Sequence, residues 1–323
     1  MRETVGLWNK SCAICKRLDG KVALVTGCNT GIGLYTASEL ARRGATVIMA
    51  CRNMERAEKA KNRLLEKYGN SNPDCLKIDV ACNEVISSLT PIEANQLIIE
   101  LLDLASLKSI REFAAKIINR FTKLHYLVNN AGVLLFNYEK TEDNFEITMG
   151  VNYFGHFLLT ELLLPLLKTS APSRIIIVSS MGHYYSDIYK PDLQCNKSGF
   201  SAYNASKLGN VLHAFELSKR LKDTGVEVVS VHPGFVYTEI QRGMSTNLVK
   251  LLTPIIKPFL VSSWKGAQTT LYTVLTDHLI SGGFYSNCTM KEPSSIVKND
   301  QERKWFWNRT CELLNIDHND WLS

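Results

Sequence analysis

The stretch Lys21-Val22-Ala23-Leu24-Val25-Thr26-Gly27-Cys28-Asn29-Thr30-Gly31-Ile32-Gly33 decides the fold. Its opening is apolar and β-branched after the lysine, as a short buried strand requires. The glycines follow at once. Beyond them Leu34, Ala37, Leu40 and Ala41 mark one apolar stripe at helical spacing. Arg42, Arg43 and Gly44 then supply the cationic last turn and glycine stop of a helix. Strand, glycine turn and helix in that order place backbone N–H groups and a helix N-terminus where a pyrophosphate can sit. Glycines there remove the side chains that would block close approach. Without a ligand, the same residues would make an ordinary tight turn.

Working outward, strand-like runs alternate with amphipathic helical runs. They include Thr46 to Ala50, Leu124 to Val128, Arg174 to Val178 and Val226 to Val231. Such alternation predicts βαβ units and a parallel sheet. The 323 residues show no linker, 20- to 50-residue repeat or low-complexity tract, so a single α/β domain with an ample core is expected.

Composition excludes several function classes. The net charge of +6 is spread along helices among acidic residues, which describes solvated helix faces and not a nucleic-acid patch. Nine cysteines form no disulfide framework in a chain this long and indicate a reducing compartment. The Cys12-x-x-Cys15 pair has no second pair or histidines to complete a zinc site, and no metal site is expected. The N-x-S/T matches at Asn9, Asn196, Asn204, Asn287 and Asn308 follow no signal peptide and are read as chance. No run of 18 or more apolar residues suggests a membrane span.

Chemistry concentrates at Tyr203-Asn204-Ala205-Ser206-Lys207. Helical spacing sets a phenol and an ammonium one turn apart on one face. A free tyrosine titrates at about 10, so a neighbouring positive charge is needed to make it a useful acid-base group. Lys207 is placed to supply that charge and lower the phenol's pKa. Cofactor choice turns on the end of the second strand, where Cys51-Arg52 offers no carboxylate for ribose hydroxyls and a guanidinium that can fork onto a 2′-phosphate. NADP(H) is therefore expected over NAD(H).

The ordered motifs Thr26 to Gly33, Asn129-Asn130-Ala131-Gly132 and Tyr203 to Lys207 resemble those of the classical short-chain dehydrogenase/reductase family, over about Lys21 to Cys288. The glycine spacing is G-x-x-x-G-x-G, the family's variant, and not G-x-G-x-x-G. The resemblance implies a single-domain Rossmann-type, doubly wound parallel sheet flanked by helices. It also implies a catalytic set of Asn152, Ser180, Tyr203 and Lys207. In that set Ser180 polarises the substrate carbonyl, Tyr203 is the acid or base, Lys207 also holds the ribose, and Asn152 supports a water-linked proton relay to Lys207. Cofactor contacts are implied at Gly27, Asn29, Thr30, Gly31, Ile32, Gly33, Arg52, Asp103, Asn130, Ala131, Gly132, Tyr203, Lys207, Pro233, Gly234, Val236 and Thr238.

Two segments compete for the third strand, Leu76 to Val80 and Leu97 to Leu104. Only the second leaves room for a single helix before Asn129, so Asp103 is the residue assigned to the adenine. Residues 72–94 are then an insertion, a short hairpin or loop near the adenine end. Residues 1–20 form an N-terminal arm, 21–290 the Rossmann domain, and 291–323 a helical tail. Residues 240–262, including the apolar Leu248 to Val261, would form a substrate lid or a surface that touches a membrane peripherally.

Ser180 and Tyr203 are farther apart than in minimal family members, and Gly155 to Thr160, Lys265 to Gln268 and Gly283 to Ser286 resemble the retinol dehydrogenase branch. Many relatives in that branch carry an N-terminal membrane anchor, which the mildly basic, polar Met1 to Asp19 is not expected to form. An intracellular protein, cytoplasmic or peripheral on an endomembrane, is expected. Phe157 to Leu167 resembles the family's dimer-forming helix, which would make a homodimer; simple packing on the sheet is the alternative. The implied reaction is hydride transfer between NADP(H) and a small hydrophobic alcohol/carbonyl pair, retinol and retinal first. Steroid or lipid-aldehyde reduction, and a non-catalytic nucleotide-binding scaffold or redox sensor, are the other readings.

Overall fold

The structure, a computed structural model, describes residues 10–76, 83–194, 198–236 and 261–316. Its strands are Val22–Thr26 (β1), Thr46–Cys51 (β2), Leu97–Leu101 (β3), Tyr126–Asn129 (β4), Ser173–Val178 (β5), Val226–His232 (β6), Phe284–Ser286 (β7) and Thr289–Lys291 (β8). They form one sheet in the order β3-β2-β1-β4-β5-β6-β7-β8. Every neighbouring pair is parallel except β7 with β8. The strand order reverses between β1 and β4. In doubly wound sheets, ligands bind outside the carboxyl ends of the strands at such a switch point.

Helices cover both faces: Gly31–Arg42 (α1), Met54–Tyr68 (α2), Asn83–Ser87 (α3), Leu107–Arg120 (α4), Ile147–Thr169 (α5), Phe200–Arg220 (α6), Ser263–Leu275 (α7) and Asp300–Leu314 (α8). The period-two pleat divides the core. Leu24, Ile175 and Ile177 face α4, α5, α6 and α8, while Ala23, Val25, Ile176 and Val178 face α1, α2 and α7.

α5 is long and apolar enough to cross a membrane, but most of it is buried inside this fold. Of the stretch expected to form a dimer, Phe157, Leu158, Leu159, Leu163, Leu164, Leu166 and Leu167 are all buried within one chain. The packing alternative accounts for their apolar character. Part of the cover comes from α8, whose Trp307 meets Phe157 at 4.8 Å between ring centroids.

Of the two competing third strands, the second forms β3, paired with β2 from Val47↔Leu97 to Cys51↔Leu101. Residues 77–82 of the first lie outside the described residues. The insertion differs from its expectation. Where described it contains the short helix α3, and it packs at the amino-terminal edge of the sheet, away from the glycine turn. Thr90 N donates to Arg42 O (2.7 Å), Arg42 Nη2 donates to Cys75 O (3.0 Å), and Arg17 Nη1 donates to Ser88 O (3.3 Å). α1 runs back from the carboxyl edge, so its end carries these contacts to the opposite side from the adenine. Arg42 and Arg43 are themselves buried, and both pair with Glu39, at 2.8 and 2.6 Å. A buried guanidinium needs such a partner.

Candidate active site

Two turns meet at the switch point. Thr26, the last residue of β1, accepts the main-chain N–H groups of Asn130 and Ala131 on its Oγ1, both at 2.9 Å. Asn130 Nδ2 donates back to Thr26 O at 2.8 Å. The Asn130 amide therefore clasps the two turns together, and it is the residue's position in the cleft wall that faces a ligand. Gly27 has φ +63°, and a Cβ on it would stand 2.8 Å from that of Ala131. A Cβ on Gly33 would stand 2.4 Å from Asn130 Nδ2, so both glycines are required by close approach. Thr30 caps α1 in extended conformation with no side-chain cap bond, which leaves the first-turn N–H groups available.

A cleft of about 370 Å³ opens here. Its walls include Gly27, Asn29, Thr30, Gly31, Ile32, Gly33, Arg52, Asp103, Asn130, Ala131 and Gly132, so those expected residues are brought together. Asn53 and Arg56 belong to the same walls and were not anticipated. Their signal was legible: Asn53 precedes Met54 as an N-cap, its Oδ1 accepting Arg56 N at 2.8 Å, and Arg56 follows Arg52 by one helical turn. Asp103 Oδ1 accepts Ala105 N at 2.9 Å, so part of this carboxylate shapes the turn after β3. Behind the glycine turn, the buried Cys28 and Cys51 thiols lie 3.8 Å apart, a proximity no local pattern announced.

Beyond the cleft stand the four residues of the expected catalytic set. Ser179 Oγ donates to Lys207 O at 2.7 Å and anchors α6 to the end of β5. Ser180 Oγ accepts Gly182 N at 3.2 Å and lies close enough to the Tyr203 phenol to lower its pKa. The two consecutive serines thus have different work. Lys207 is buried, its Nζ donating to Val178 O at 3.1 Å and lying 5.5 Å from the Tyr203 ring centroid. Burial brings its pKa down to about 8.

The expected lowering of the phenol by Lys207 does not hold in this arrangement. Burial pushes Tyr203 above its ordinary value, and the nearby Ser180 hydroxyl opposes that rise. The ammonium is turned toward a main-chain carbonyl, so desolvation prevails.

Asn152 sits in a π-helical turn, Gly150–Phe154, within α5. Its side chain is committed: Oδ1 accepts Val133 N (2.8 Å), and Nδ2 donates to Val133 O and Ser206 Oγ (both 3.0 Å). These bonds tie the turn after β4 to α6. Gly132 packs between the two partners, since a Cβ there would lie 3.4 Å from Asn152 Oδ1 and 3.5 Å from Lys207 Nζ. His183, also buried, hydrogen-bonds Ser180 O through Nδ1 (2.7 Å) and accepts Ser294 N at Nε2 (3.2 Å), a link to the C-terminal segment that sequence reading missed.

Pro233, Gly234 and Val236 are not among the residues lining this cleft. Gly234 has φ +92°, and Val236 packs against the start of α7, where a Cβ on Gly266 would meet its Cγ2 at 2.6 Å. Thr238 lies outside the described residues, as does the lid segment up to residue 260.

Comparison with known proteins shows the family. The family model for short chain dehydrogenases matches residues 21–94 and 80–248. Mouse retinol dehydrogenase 12 is 42% identical over 309 residues, covering 94% of this chain and 90% of its own. Mouse retinol dehydrogenase 11 has the same identity and coverage. Among solved structures, an uncharacterized protein from Mycobacterium paratuberculosis superposes with a TM-score of 0.71 at 29% identity, covering 95% of this chain and 98% of its own.

Proposed function

Because the chain belongs to the short-chain dehydrogenase family, in its retinol dehydrogenase branch, we propose that it is an NADP(H)-dependent oxidoreductase acting on a hydrophobic alcohol/carbonyl pair, with retinol and retinal the first candidates. The observation that carries this reading is the placement of Ser180, Tyr203, Lys207 and Asn152 at the end of a switch-point cleft.

The cleft fits a dinucleotide. Gly27 and Gly33 keep its floor clear, and α1 presents uncapped first-turn N–H groups. The end of β2 offers Cys51 in place of a carboxylate, with Arg52 and Arg56 in the wall, which favours the 2′-phosphorylated cofactor. When bound, the nicotinamide supplies the hydride in reduction and takes it in oxidation.

The chain's own residues handle the proton. Ser180 Oγ donates to the substrate oxygen, and Tyr203 gives that oxygen its proton during reduction and removes it during oxidation. Burial keeps the phenol protonated until it is needed. Lys207, charged below about pH 8, stands 5.5 Å from that ring. The Asn152 carbonyl would hold a water that returns a proton toward Lys207.

A greasy substrate suits the rim. Tyr184 and Tyr185 follow Ser180, Phe200 precedes Tyr203 and stacks edge-on with Phe136 at 5.5 Å, and Phe235 follows Gly234. Tyr184, Tyr185, Phe200 and Phe235 are exposed despite their size.

The experiment is oxidation of NADPH and NADH by the purified protein with all-trans-retinal and with steroid and aliphatic carbonyls, alongside Tyr203→Phe. Retinal reduction with NADPH that vanishes in the mutant while NADPH still binds is the expected result. Binding of NADPH without reduction of any carbonyl would sink the enzyme reading in favour of a scaffold. Turnover of steroids or lipid aldehydes alone would overturn the retinoid substrate.

A further inference from the structure

His156 is buried in α5, yet both of its ring nitrogens have partners. Nδ1 lies 3.1 Å from Asn152 O, and Nε2 lies 2.8 Å from Thr26 Oγ1. A main-chain carbonyl can only accept, so Nδ1 carries the hydrogen. The ring is neutral, because burial and the nearby Lys207 charge bring its pKa down to about 3. Nε2 is then bare, and the Thr26 hydroxyl must donate to it. The other acceptor near that hydroxyl, Val128 O, is farther away at 3.5 Å.

The direction of every bond follows. Asn130 N and Ala131 N donate to Thr26 Oγ1, Thr26 donates to His156, and His156 donates to Asn152 O. This single line joins the turn that cradles the dinucleotide to the π-helical turn of the catalytic set. We propose that His156 is a positioning residue for hydride transfer, a neutral imidazole that fixes the Asn152 carbonyl and couples its position to the cofactor turn through Thr26. The inference rests on the function proposed above, in which that carbonyl holds the relay water. It assigns His156 no contact with substrate or cofactor.

Amide substitutions separate the two bonds. His156→Asn sets an N–H donor near Nδ1 and keeps the bond to Asn152 O, whereas His156→Gln reaches toward Thr26 and leaves Asn152 O without its donor. At equal folded fraction, His156→Gln and His156→Phe should lower kcat by about 10- to 100-fold, the penalty of a misplaced catalytic group. KM for the carbonyl and the Kd for NADPH should stay within about threefold. His156→Asn should recover most of kcat. Equal kcat in all four proteins, or a loss that simply follows the folded fraction, would overturn the proposal. The wild-type chain offers an independent check, since nitrogen-15 shifts of the ring must show hydrogen on Nδ1, and hydrogen on Nε2 would also overturn it. A wild type that binds NADPH but reduces no carbonyl would instead refute the underlying function, leaving the tautomer measurement to decide the geometry.

Discussion

The ammonium of Lys207 lies 5.5 Å from the ring centroid of Tyr203, while its hydrogen bond goes to Val178 O. A buried charge held by one carbonyl is costly to the fold. Its pKa falls from 10.5 to about 8, so between those values the unfolded chain holds a proton that the native chain has released. Stability therefore rises with pH across that window, and the full cost of the buried charge is present below about pH 8. Lys207→Met should stabilise the protein at pH 7 by roughly a few kcal/mol, with the gain fading toward pH 10.5. Turnover should fall by about 10²- to 10⁴-fold. Asn210 Nδ2 still satisfies Val178 O, at 3.1 Å. Thermal melts at pH 7 and pH 10 test this, and an equal effect at both would refute it.

Arg52 should discriminate between cofactors. Arg52→Ala removes a charge-assisted contact worth about 1.5–3 kcal/mol to the 2′-phosphate, so NADPH should bind roughly 10- to 100-fold more weakly while NADH changes little. Fluorescence titrations with both nucleotides give the ratio. Equal weakening would show that Arg52 supports the loop and does not read the phosphate.

His213 marks the acid limit of the fold. It is buried against Tyr153, Phe157 and Trp307, and among the described residues neither ring nitrogen has a hydrogen-bond partner. Burial, with His156 nearby, brings its pKa down to about 3, so the native ring stays neutral where an unfolded histidine takes a proton. Its contribution is fully present above about pH 6.5 and is lost at about 1.4 kcal/mol per pH unit as pH falls toward 3. His213→Phe should flatten the acid side of the stability curve and change little at pH 8. Urea midpoints from pH 4 to 8 would show whether the slope changes.

Among the described residues Trp307 is the largest fully buried side chain, packed on Phe157 and beneath the Arg220 guanidinium at 4.4 Å. Trp307→Ala should cost about 3–5 kcal/mol through the cavity it leaves. Denaturant unfolding measures the loss, and a cost below about 1 kcal/mol would mean that α8 contributes little to the core.

Local pattern carried much of the fold into view. The apolar run Val22 to Val25, the glycines and the helical stripe after Leu34 each encode their own element, because strand and helix periods are short-range properties. The choice of β3 was legible for the same reason: a single helix fits only between Asp103 and Asn129. Contacts from elsewhere in the chain escaped that reading. Arg42 and Arg43 look like a solvated helix end, yet Glu39 and the insertion bury them. Residue identity marked out Tyr203 and Lys207 as a pair, but the Val178 carbonyl and the Ser180 hydroxyl determine what each group does. His156 and His183 each have one partner nearby in sequence, but the second arrives from β1 or from residue 294, where no local pattern could announce it.

The last helix has a consequence for synthesis on the ribosome. α8 seals α5 and α6 with Trp307, while Tyr153 beside Asn152 hydrogen-bonds Thr310 at 2.7 Å. Translation delivers those residues only after every strand has emerged, so the nascent chain holds a finished sheet with one greasy flank still bare. A premature stop before Asp300 would therefore yield a polypeptide with its dinucleotide loop intact and its interior open to proteolysis.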